Sequence, residues 1–226
     1  MWRDEIFGND TDKPKMLVNI ILDKSGSMYG ATKDTIGGFN SYIEKLQKDD
    51  KADYLVSLTM FDTVFDIKYV AKPVKDVPML DTSTYVANGN TALLDAVGKT
   101  LQEIPDDDPE RKILVVIITD GEENSSREFG WEGVQKLIKE KESLGNWTFI
   151  YLGAMSDAWD KGSKFGFSIN NVARYSHSNT TQVFGEVLSN ATDYLNYVTA
   201  SGCSQALFAD SGYATTDFSG GEWDKS

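Results

Sequence analysis

The sequence predicts an α/β fold whose doubly wound, Rossmann-like sheet is mostly parallel, has one antiparallel edge strand and carries helices on both faces. Two observations lead to this prediction. Short apolar runs rich in β-branched residues alternate along the 226-residue chain with amphipathic segments of helical length, as expected for parallel strands joined by crossover helices. Two further strand-like runs are separated only by residues 62–64, which is short enough for a hairpin and hence for one antiparallel pair.

The first half of the chain supplies the first strand, the first helix and the hairpin. Residues 16–22 (MLVNIIL) are apolar and bounded by charged neighbours, which is typical of a strand buried on both faces. Residues 32–47 carry apolar side chains at spacings of three and four, which predicts an amphipathic helix. Residues 54–61 and 65–70 are the strands of the predicted hairpin.

The second half adds the central strand and the remaining helices. Residues 113–119 are the most hydrophobic strand candidate, so we expect them to lie centrally in the sheet beside residues 16–22. A helix is expected over residues 91–104, after the turn signal Asn88-Gly89-Asn90. The other expected elements are a helix marked by Val134, Leu137, Ile138 and Leu144, a strand at 147–152, a short helix at 158–165, a weak strand at 172–175 and a last helix at 181–198.

The composition excludes several classes of function. Lysine and arginine number 22 against 35 aspartates and glutamates, so the net charge is −13. This charge disfavours nucleic acids and anionic membranes and favours a cation or a cationic partner. The single cysteine, Cys203, excludes an intramolecular disulfide framework, and the single histidine, His177, excludes a site that needs two imidazoles. Since no apolar run approaches the roughly 20 residues that span a bilayer, and residues 1–12 are unlike a signal peptide, we expect a cytoplasmic protein.

Oxygen-bearing side chains follow the predicted strands at three places. Residues 23–27 (DKSGS) follow the first strand, residues 89–91 (GNT) lead into a helix, and residues 119–121 (TDG) end the central strand. In an open parallel sheet, ligands bind outside the carboxyl ends of the strands, so we expect these segments to meet. Each segment alone has a local explanation: DKSGS as a turn and helix cap, Thr91 as an N-cap, and Asp120-Gly121 as a turn.

The three segments together offer hard oxygen donors for a metal ion. The candidate ligands are Asp23, Ser25, Ser27, Thr91 and Asp120. Mg²⁺ prefers six such oxygens in octahedral geometry, so at least one position would stay unfilled, and Mn²⁺ and Ca²⁺ are alternatives. Softer metals are disfavoured because these segments contain neither histidine nor cysteine. Asp95, one helical turn after Thr91, is expected to be structural, and residues 122–124 (EEN) are expected to flank the site and add negative potential.

These motifs together resemble the metal-ion-dependent adhesion site (MIDAS) of the von Willebrand factor A (VWA) domain family. The resemblance is carried by DKSGS, by GNT followed by the helix residues ALLDA, and by residues 118–124 (ITDGEEN), with all five ligand types in the family's order. It implies that Ser25, Ser27 and Thr91 ligate the metal and that Asp23 and Asp120 bind it directly or through water. One departure is that many members have two consecutive glycines before the threonine, where this chain has Gly89-Asn90.

The resemblance also implies an organisation of the chain. Residues 1–14 would be an N-terminal extension, residues 15–200 a VWA-like domain and residues 201–226 a tail rich in glycine, serine and aromatic residues. The aromatic residues of the tail recur every five positions, a period of neither strand nor helix. Chance within a disordered tail and a docking segment both remain open for Phe208, Tyr213, Phe218 and Trp223.

By the same resemblance, the site implies metal-dependent protein binding, in which a partner's Asp or Glu completes the coordination sphere. Stand-alone intracellular members often assist AAA+ ATPases or larger assemblies, which makes such a partner an expectation here. A magnesium phosphohydrolase of the haloacid dehalogenase type is the enzymatic alternative, but it needs a second aspartate where this chain has Ser25. A serine hydrolase elbow and phosphate-binding glycine loops are both missing from the sequence. A structural module without metal dependence is the remaining alternative.

Overall fold

The computed structural model describes residues 13–104, 108–154, 158–166 and 172–175, together with Thr192. Its centre is a six-stranded sheet with the strand order β3-β2-β1-β4-β5-β6. All neighbouring strands run parallel except the antiparallel pair β2 and β3. The strands are β1 (Lys15–Asp23), β2 (Asp53–Phe61), β3 (Phe65–Pro73), β4 (Lys112–Thr119), β5 (Trp147–Ala154) and β6 (Val172–Tyr175).

Four α-helices connect or flank these strands in the described part of the chain. They are α1 (Thr32–Lys48), α2 (Leu93–Glu103), α3 (Trp131–Glu142) and α4 (Ala158–Phe165). The predicted doubly wound fold with one antiparallel edge is therefore confirmed. None of the described helices has the length and apolar character needed to cross a membrane.

The core consists of two apolar layers, one on each face of the sheet. Because side chains alternate along a strand, Val18 and Ile20 of β1 pack on one face with Phe39 of α1. On the opposite face, Leu17 and Ile21 lie in a second cluster with side chains of α2 and α3. Burial on both faces explains why β1 and β4 are nearly continuous apolar runs.

The edge strand β3 has a different character from the central strands. Its side chains alternate between half-buried and exposed positions over residues 65–70. The exposed side chains of Asp66 and Lys68 form an ion pair with each other. Near the end of the strand Ala71 has a φ of 47°, where the pairing with β2 is irregular, and its N–H donates to the Ser57 hydroxyl at 2.8 Å.

A long connection leads from the end of β3, which lies beside the start of β2, across the α1 face of the sheet to α2 at the carboxyl edge. The Asn40 side chain of α1 holds it by donating to Leu80 O and accepting from Leu80 N, at 2.9 and 2.7 Å. Tyr85 is 1% exposed, and its hydroxyl donates to Asp23 O at 2.6 Å. These contacts fix the connection against β1 before it reaches Thr91.

The element predictions hold closely, with three differences. Helix α2 begins at Leu93 rather than at Thr91. Leu144 lies beyond the end of α3 and is 56% exposed, so it does not belong to the buried face of that helix. The polar run at residues 106–109 (DDDP) is typical of a solvated loop, but Asp108 is buried, and its Oδ2 lies 3.8 Å from an Arg111 guanidinium nitrogen.

Several predictions fall outside the described residues. These are the N-terminal extension except residues 13 and 14, the tail from residue 201, His177, Cys203 and most of the last predicted helix. Thr192 is the one described residue of that helix, and its hydroxyl lies 2.7 Å from the Tyr42 hydroxyl of α1.

Candidate metal centre

The carboxyl ends of β1, β2 and β4 bring the predicted site segments together. Strands β1 and β4 pair in register up to Leu22 and Ile118, so the segments that follow them leave the sheet side by side. The backbone after β1 is then tied to its neighbours. Lys24 N donates to Phe61 O at 2.7 Å, and Gly26 N donates to Gly89 O at 3.0 Å. The expectation that DKSGS, GNT and TDG meet at one edge is realised.

Hydroxyl and carboxylate oxygens from these segments are in direct contact. Ser27 Oγ donates to Asp120 Oδ1 at 2.6 Å, joining side chains that are 93 residues apart in the sequence. The Ser25 and Ser27 hydroxyls lie 3.1 Å from each other. The Asp120 carboxylate is therefore within a few ångströms of both serines, as a shared coordination site requires.

Asp23 is a buried carboxylate held in place by two donors. Ser25 N donates to its Oδ1 at 2.6 Å, and the Thr119 hydroxyl donates to its Oδ2 at 2.5 Å. Burial raises the pKa of Asp23 to about 6, against the lowering effect of the hydrogen bonds from Thr119 and Ser25, and Asp120 adds a further rise. A buried carboxylate of this kind gains most from a nearby cation.

Thr91 enters the site from the third segment. Its position is shown by Gly121, where an added Cβ would lie 2.6 Å from Thr91 Oγ1, 3.2 Å from Ser27 Oγ and 3.3 Å from Asp23 Oδ2. Oxygens from the other two segments thus surround the point next to Asp120. The local alternative, in which Thr91 is an N-cap, is not realised, because the N-cap of α2 is Ala92.

The Gly89-Asn90 variation is accommodated by the β2–β3 turn. Gly89 has a φ of 78°, a conformation that favours glycine. Asn90 is exposed, and its N–H donates to the Thr63 hydroxyl at 3.0 Å. Asp62 in the same turn forms a half-buried ion pair with Lys24, so the cationic side chain within DKSGS already has a carboxylate partner.

This donor set fits a hard divalent cation. The five predicted ligands provide two carboxylates and three hydroxyls, and hard cations bind such oxygens. No cluster of three or more histidine, cysteine, aspartate or glutamate residues occurs among the residues that the structure describes. The candidate site therefore combines the carboxylates of two aspartates with the hydroxyls of serine and threonine.

The residues around the site include a set whose roles the sequence did not predict. Glu123, expected only to add negative potential, accepts Leu94 N of α2 at 2.9 Å through Oε2. Asn124 Oδ1 accepts Thr91 N at 3.0 Å.

Asp95 is structural as expected, since its carboxylate accepts the N–H groups of residues 127–129 at 2.8–2.9 Å. The only signal in the sequence was the density of polar side chains directly after Gly121.

Comparison with known proteins places this fold among VWA domains. The chain is similar to a von Willebrand factor type A protein from Catenulispora acidiphila, with a TM-score of 0.56, 17% identity, and coverage of 79% of this chain and 43% of that one. It is also similar to proximal thread matrix protein 1 from the mussel byssus, with a TM-score of 0.57, 14% identity, and coverage of 78% and 48%. No protein-family model and no curated protein matches the sequence.

A further structure of the byssus protein has a zinc-occupied MIDAS motif. Its TM-score to this chain is 0.57, at 13% identity, with coverage of 78% of this chain and 48% of that one. This chain thus spans less than half the length of the structures it resembles. At this level of identity the similarity establishes the fold, which is the Rossmann-like fold of VWA domains, with a divalent metal bound at the MIDAS of one relative in fold.

Proposed function

We propose that this protein is a metal-dependent protein-interaction module. Asp23, Ser25, Ser27, Thr91 and Asp120 would hold one divalent cation, Mg²⁺ in the first instance, and a partner's Asp or Glu would complete its coordination. The observation that carries this proposal is the contact of Ser27 Oγ with Asp120 Oδ1, which joins the two serine- and aspartate-bearing segments at the carboxyl edge of the sheet.

The balance of charge at the site supports binding of an external carboxylate. Asp23 and Asp120 would balance the charge of a divalent ion, and the three hydroxyl ligands are neutral. The bound ion would supply Lewis acidity toward an incoming oxygen. The Asp23 carboxylate already accepts from Ser25 N and from the Thr119 hydroxyl. These donors compete with the ion for the negative charge of Asp23. The charge of the ion is then less fully neutralised, which favours an additional anionic ligand.

The charge of the whole chain limits the choice of partner. Since the net charge is −13, a partner needs its coordinating acid within a neutral or basic surface. We extend the proposal to a cytoplasmic setting and to an AAA+ ATPase or another large assembly as the partner, with no role for nucleic acid or membrane. The zinc-occupied MIDAS of the byssus protein supports metal binding at this site. It does not bear on the identity of the partner.

We propose a binding role rather than catalysis for these residues. The phosphohydrolase alternative requires a second aspartate two residues after Asp23, and that position holds Ser25, whose N–H donates to Asp23. The same residue contributes its hydroxyl to the cluster with Ser27. The loop therefore has no carboxylate at the position that the phosphohydrolase alternative requires.

The metal step is tested by thermal unfolding with and without MgCl₂. At about a hundred times the dissociation constant, a bound ion stabilises the folded state by about 2.7 kcal/mol. We expect Asp23→Ala to lose this stabilisation. Asp49→Asn is a matched control, because Asp49 accepts Lys51 N and the Tyr54 hydroxyl at the opposite edge of the sheet. Equal Mg²⁺-dependent shifts in the wild type and in Asp23→Ala would show that the site is wrong.

The partner step is tested by affinity capture with the purified protein as bait. Proteins retained in MgCl₂ should elute with a chelator and should not bind to a Thr91→Ala bait. Retention that survives both treatments would count against a metal bridge. Hydrolysis of a phosphate ester that depends on Asp23 would favour the enzymatic alternative.

A further inference from the structure

The loop after β4 is fastened to the N-terminus of α2. We call this connection the clasp, and it consists of Glu123, Asn124 and Ser126 on the loop and Asp95 on the helix. The N-cap residue of α2, Ala92, provides no side-chain hydrogen bond to the helix. The unpaired N–H groups of the first turn therefore need acceptors from elsewhere, and the loop supplies them.

Glu123 is fully engaged in this connection. Its Oε2 accepts Leu94 N at 2.9 Å and the Ser126 hydroxyl at 2.7 Å. Its Oε1 accepts Ser125 N and Ser126 N at 2.9 and 2.8 Å. A carboxylate at a helix N-terminus is also favoured by the helix dipole. Both oxygens of Glu123 thus serve the helix and the loop instead of the metal site.

Asn124 holds the backbone of Thr91 from both sides. Its Oδ1 accepts Thr91 N at 3.0 Å, and its own N–H donates to Thr91 O at 3.0 Å. Asn124 lies only four residues after Asp120. One residue therefore connects the segment that carries the Thr91 hydroxyl to the segment that carries the Asp120 carboxylate.

Asp95 makes the connection reciprocal. Its N–H donates to the Ser126 hydroxyl at 3.0 Å, and its carboxylate accepts the N–H groups of Arg127, Glu128 and Phe129. The loop therefore caps the helix while the helix caps the loop. A rigid connection of this kind leaves little freedom for Thr91 to move relative to Asp120.

We propose that Glu123 and Asn124 are positioning residues that set the metal affinity of the site by fixing Thr91 against Asp120. This inference rests on the proposed metal-binding function. Metal ligands that are held in place before the ion arrives lose less conformational freedom on binding. Loss of residues that orient metal ligands weakens metal affinity by roughly 10- to 100-fold in other proteins.

The test measures the dissociation constant of Mg²⁺ by calorimetric titration of the full chain. Asn124→Ala and Glu123→Gln are compared with the wild type. We expect Asn124→Ala to raise the dissociation constant at least about tenfold. Glu123→Gln keeps an acceptor oxygen for Leu94 N, but its amide nitrogen replaces the oxygen that accepts Ser125 N and Ser126 N, and the negative charge at the helix N-terminus is lost. An increase of the same sign is therefore expected. Because Glu123→Gln is isosteric, it keeps the inference testable if Asn124→Ala does not fold.

Asp49→Asn again serves as the control for a loss of stability away from the site. It should lower the unfolding temperature without changing the dissociation constant. If the clasp variants lower the unfolding temperature but bind Mg²⁺ as tightly as the wild type, the positioning role is overturned and the proposed function stands. If the wild-type chain itself binds no Mg²⁺, the proposed function and this inference both fail.

Discussion

At the scale of single residues, Gly121 determines how closely the three site segments approach one another. It follows Asp120 directly, and the space that a side chain would occupy is taken by the oxygens of Thr91, Ser27 and Asp23. A glycine is required here because these oxygens lie too close to its Cα to leave room for a side chain. It allows the oxygens to gather around one point.

Gly121→Ala should therefore weaken metal binding without removing a ligand. The new Cβ would lie 2.6 Å from Thr91 Oγ1, and overpacking of this kind costs about 1–3 kcal/mol. Because the Cβ would displace the Thr91 hydroxyl from its place in the site, we expect the dissociation constant for Mg²⁺ to rise by roughly 5- to 100-fold, since each factor of ten corresponds to about 1.4 kcal/mol. The measurement is calorimetric titration with Mg²⁺.

Gly130→Ala is the matched control for this substitution. A Cβ at Gly130 would meet nothing within 4 Å, so its metal affinity should equal that of the wild type. Undiminished affinity in Gly121→Ala would contradict the close packing of oxygens around this residue.

The ligand residues themselves could be recognised from the sequence, whereas their supports could not. Asp23, Ser25 and Ser27 follow a strand in a short motif, so their convergence is encoded locally. The role of Glu123 depends on Leu94 N, 29 residues earlier in the chain. No local pattern shows which backbone group a carboxylate will reach when the loop folds back.

At the scale of elements, the same long-range contacts explain why the start of α2 was misplaced. The turn signal at residues 88–90 predicted a helix that starts directly after it, at Thr91. The helix begins at Leu93, and its first-turn N–H groups find acceptors in Glu123 and Ser126. An N-terminus capped by a distant loop leaves the nearby threonine available to the site.

Asp95 should make this junction sensitive to acid. Partial burial disfavours its ionised form, but the N–H groups of residues 127–129 and the nearby Lys99 outweigh this effect and hold its pKa below the ordinary value of 3.8. A carboxyl group with a lowered folded-state pKa stabilises the fold above its ordinary pKa, and this contribution is lost as the pH falls through the folded-state value.

We therefore expect Asp95→Asn to be less stable than the wild type by about 1 kcal/mol at neutral pH, the typical cost of losing a capping group. The difference should be constant down to about pH 5 and should shrink below about pH 4. Urea unfolding of both proteins from pH 7 to pH 3 measures it. A difference that grows in acid would contradict the lowered pKa.

The contact of α2 with the loop can also be tested at Gly98. A Cβ at this helical position would lie 2.4 Å from the Phe129 ring. Gly98→Ala should therefore destabilise the protein by about 1–3 kcal/mol, although alanine is otherwise favoured over glycine in helices by about 1 kcal/mol. Denaturant unfolding measures the change.

Gly133→Ala in α3 is the matched control, because a Cβ there would meet nothing within 4 Å. It should stabilise the protein by about 0.5–1 kcal/mol. In a Phe129→Ala background, Gly98→Ala should lose most of its cost. Stabilisation by Gly98→Ala in the otherwise wild-type chain would show that Phe129 does not pack on the helix.

At the scale of the whole molecule, hydrophobic patterning predicted the sheet because it determines which elements are buried. The apolar run of β4 indicated a central place, and β4 lies between β1 and β5. The three residues 62–64 indicated the hairpin, and β2 and β3 form the antiparallel pair. Asp108 was harder to predict, since its pairing with Arg111 depends on burial within the folded chain.

The net charge of −13 should influence how tightly the site binds a cation. A negative molecule attracts divalent ions over distances that salt shortens, because the screening length falls from about 14 Å at about 0.05 M ionic strength to about 4 Å at about 0.5 M. We expect the dissociation constant for Mg²⁺ to rise several-fold over this range. Titrations at both ionic strengths check it.

Choline chloride in place of NaCl provides the control for competition by sodium at the site. The same weakening in both salts indicates screening, whereas weakening in NaCl alone indicates competition. An affinity that does not depend on either salt would show that the charge of the chain has no effect on the ion.

The charged border of β3 bears on how the protein behaves at high concentration. An uncovered strand at the side of a sheet is a template on which another chain can add a strand and start aggregation. Asp66 and Lys68 place opposite charges on this strand, and the irregular backbone at Ala71 interrupts its regular hydrogen-bonding pattern. Both features oppose pairing of β3 with a strand of another copy. The protein should therefore not aggregate when it is immobilised at high density for affinity capture.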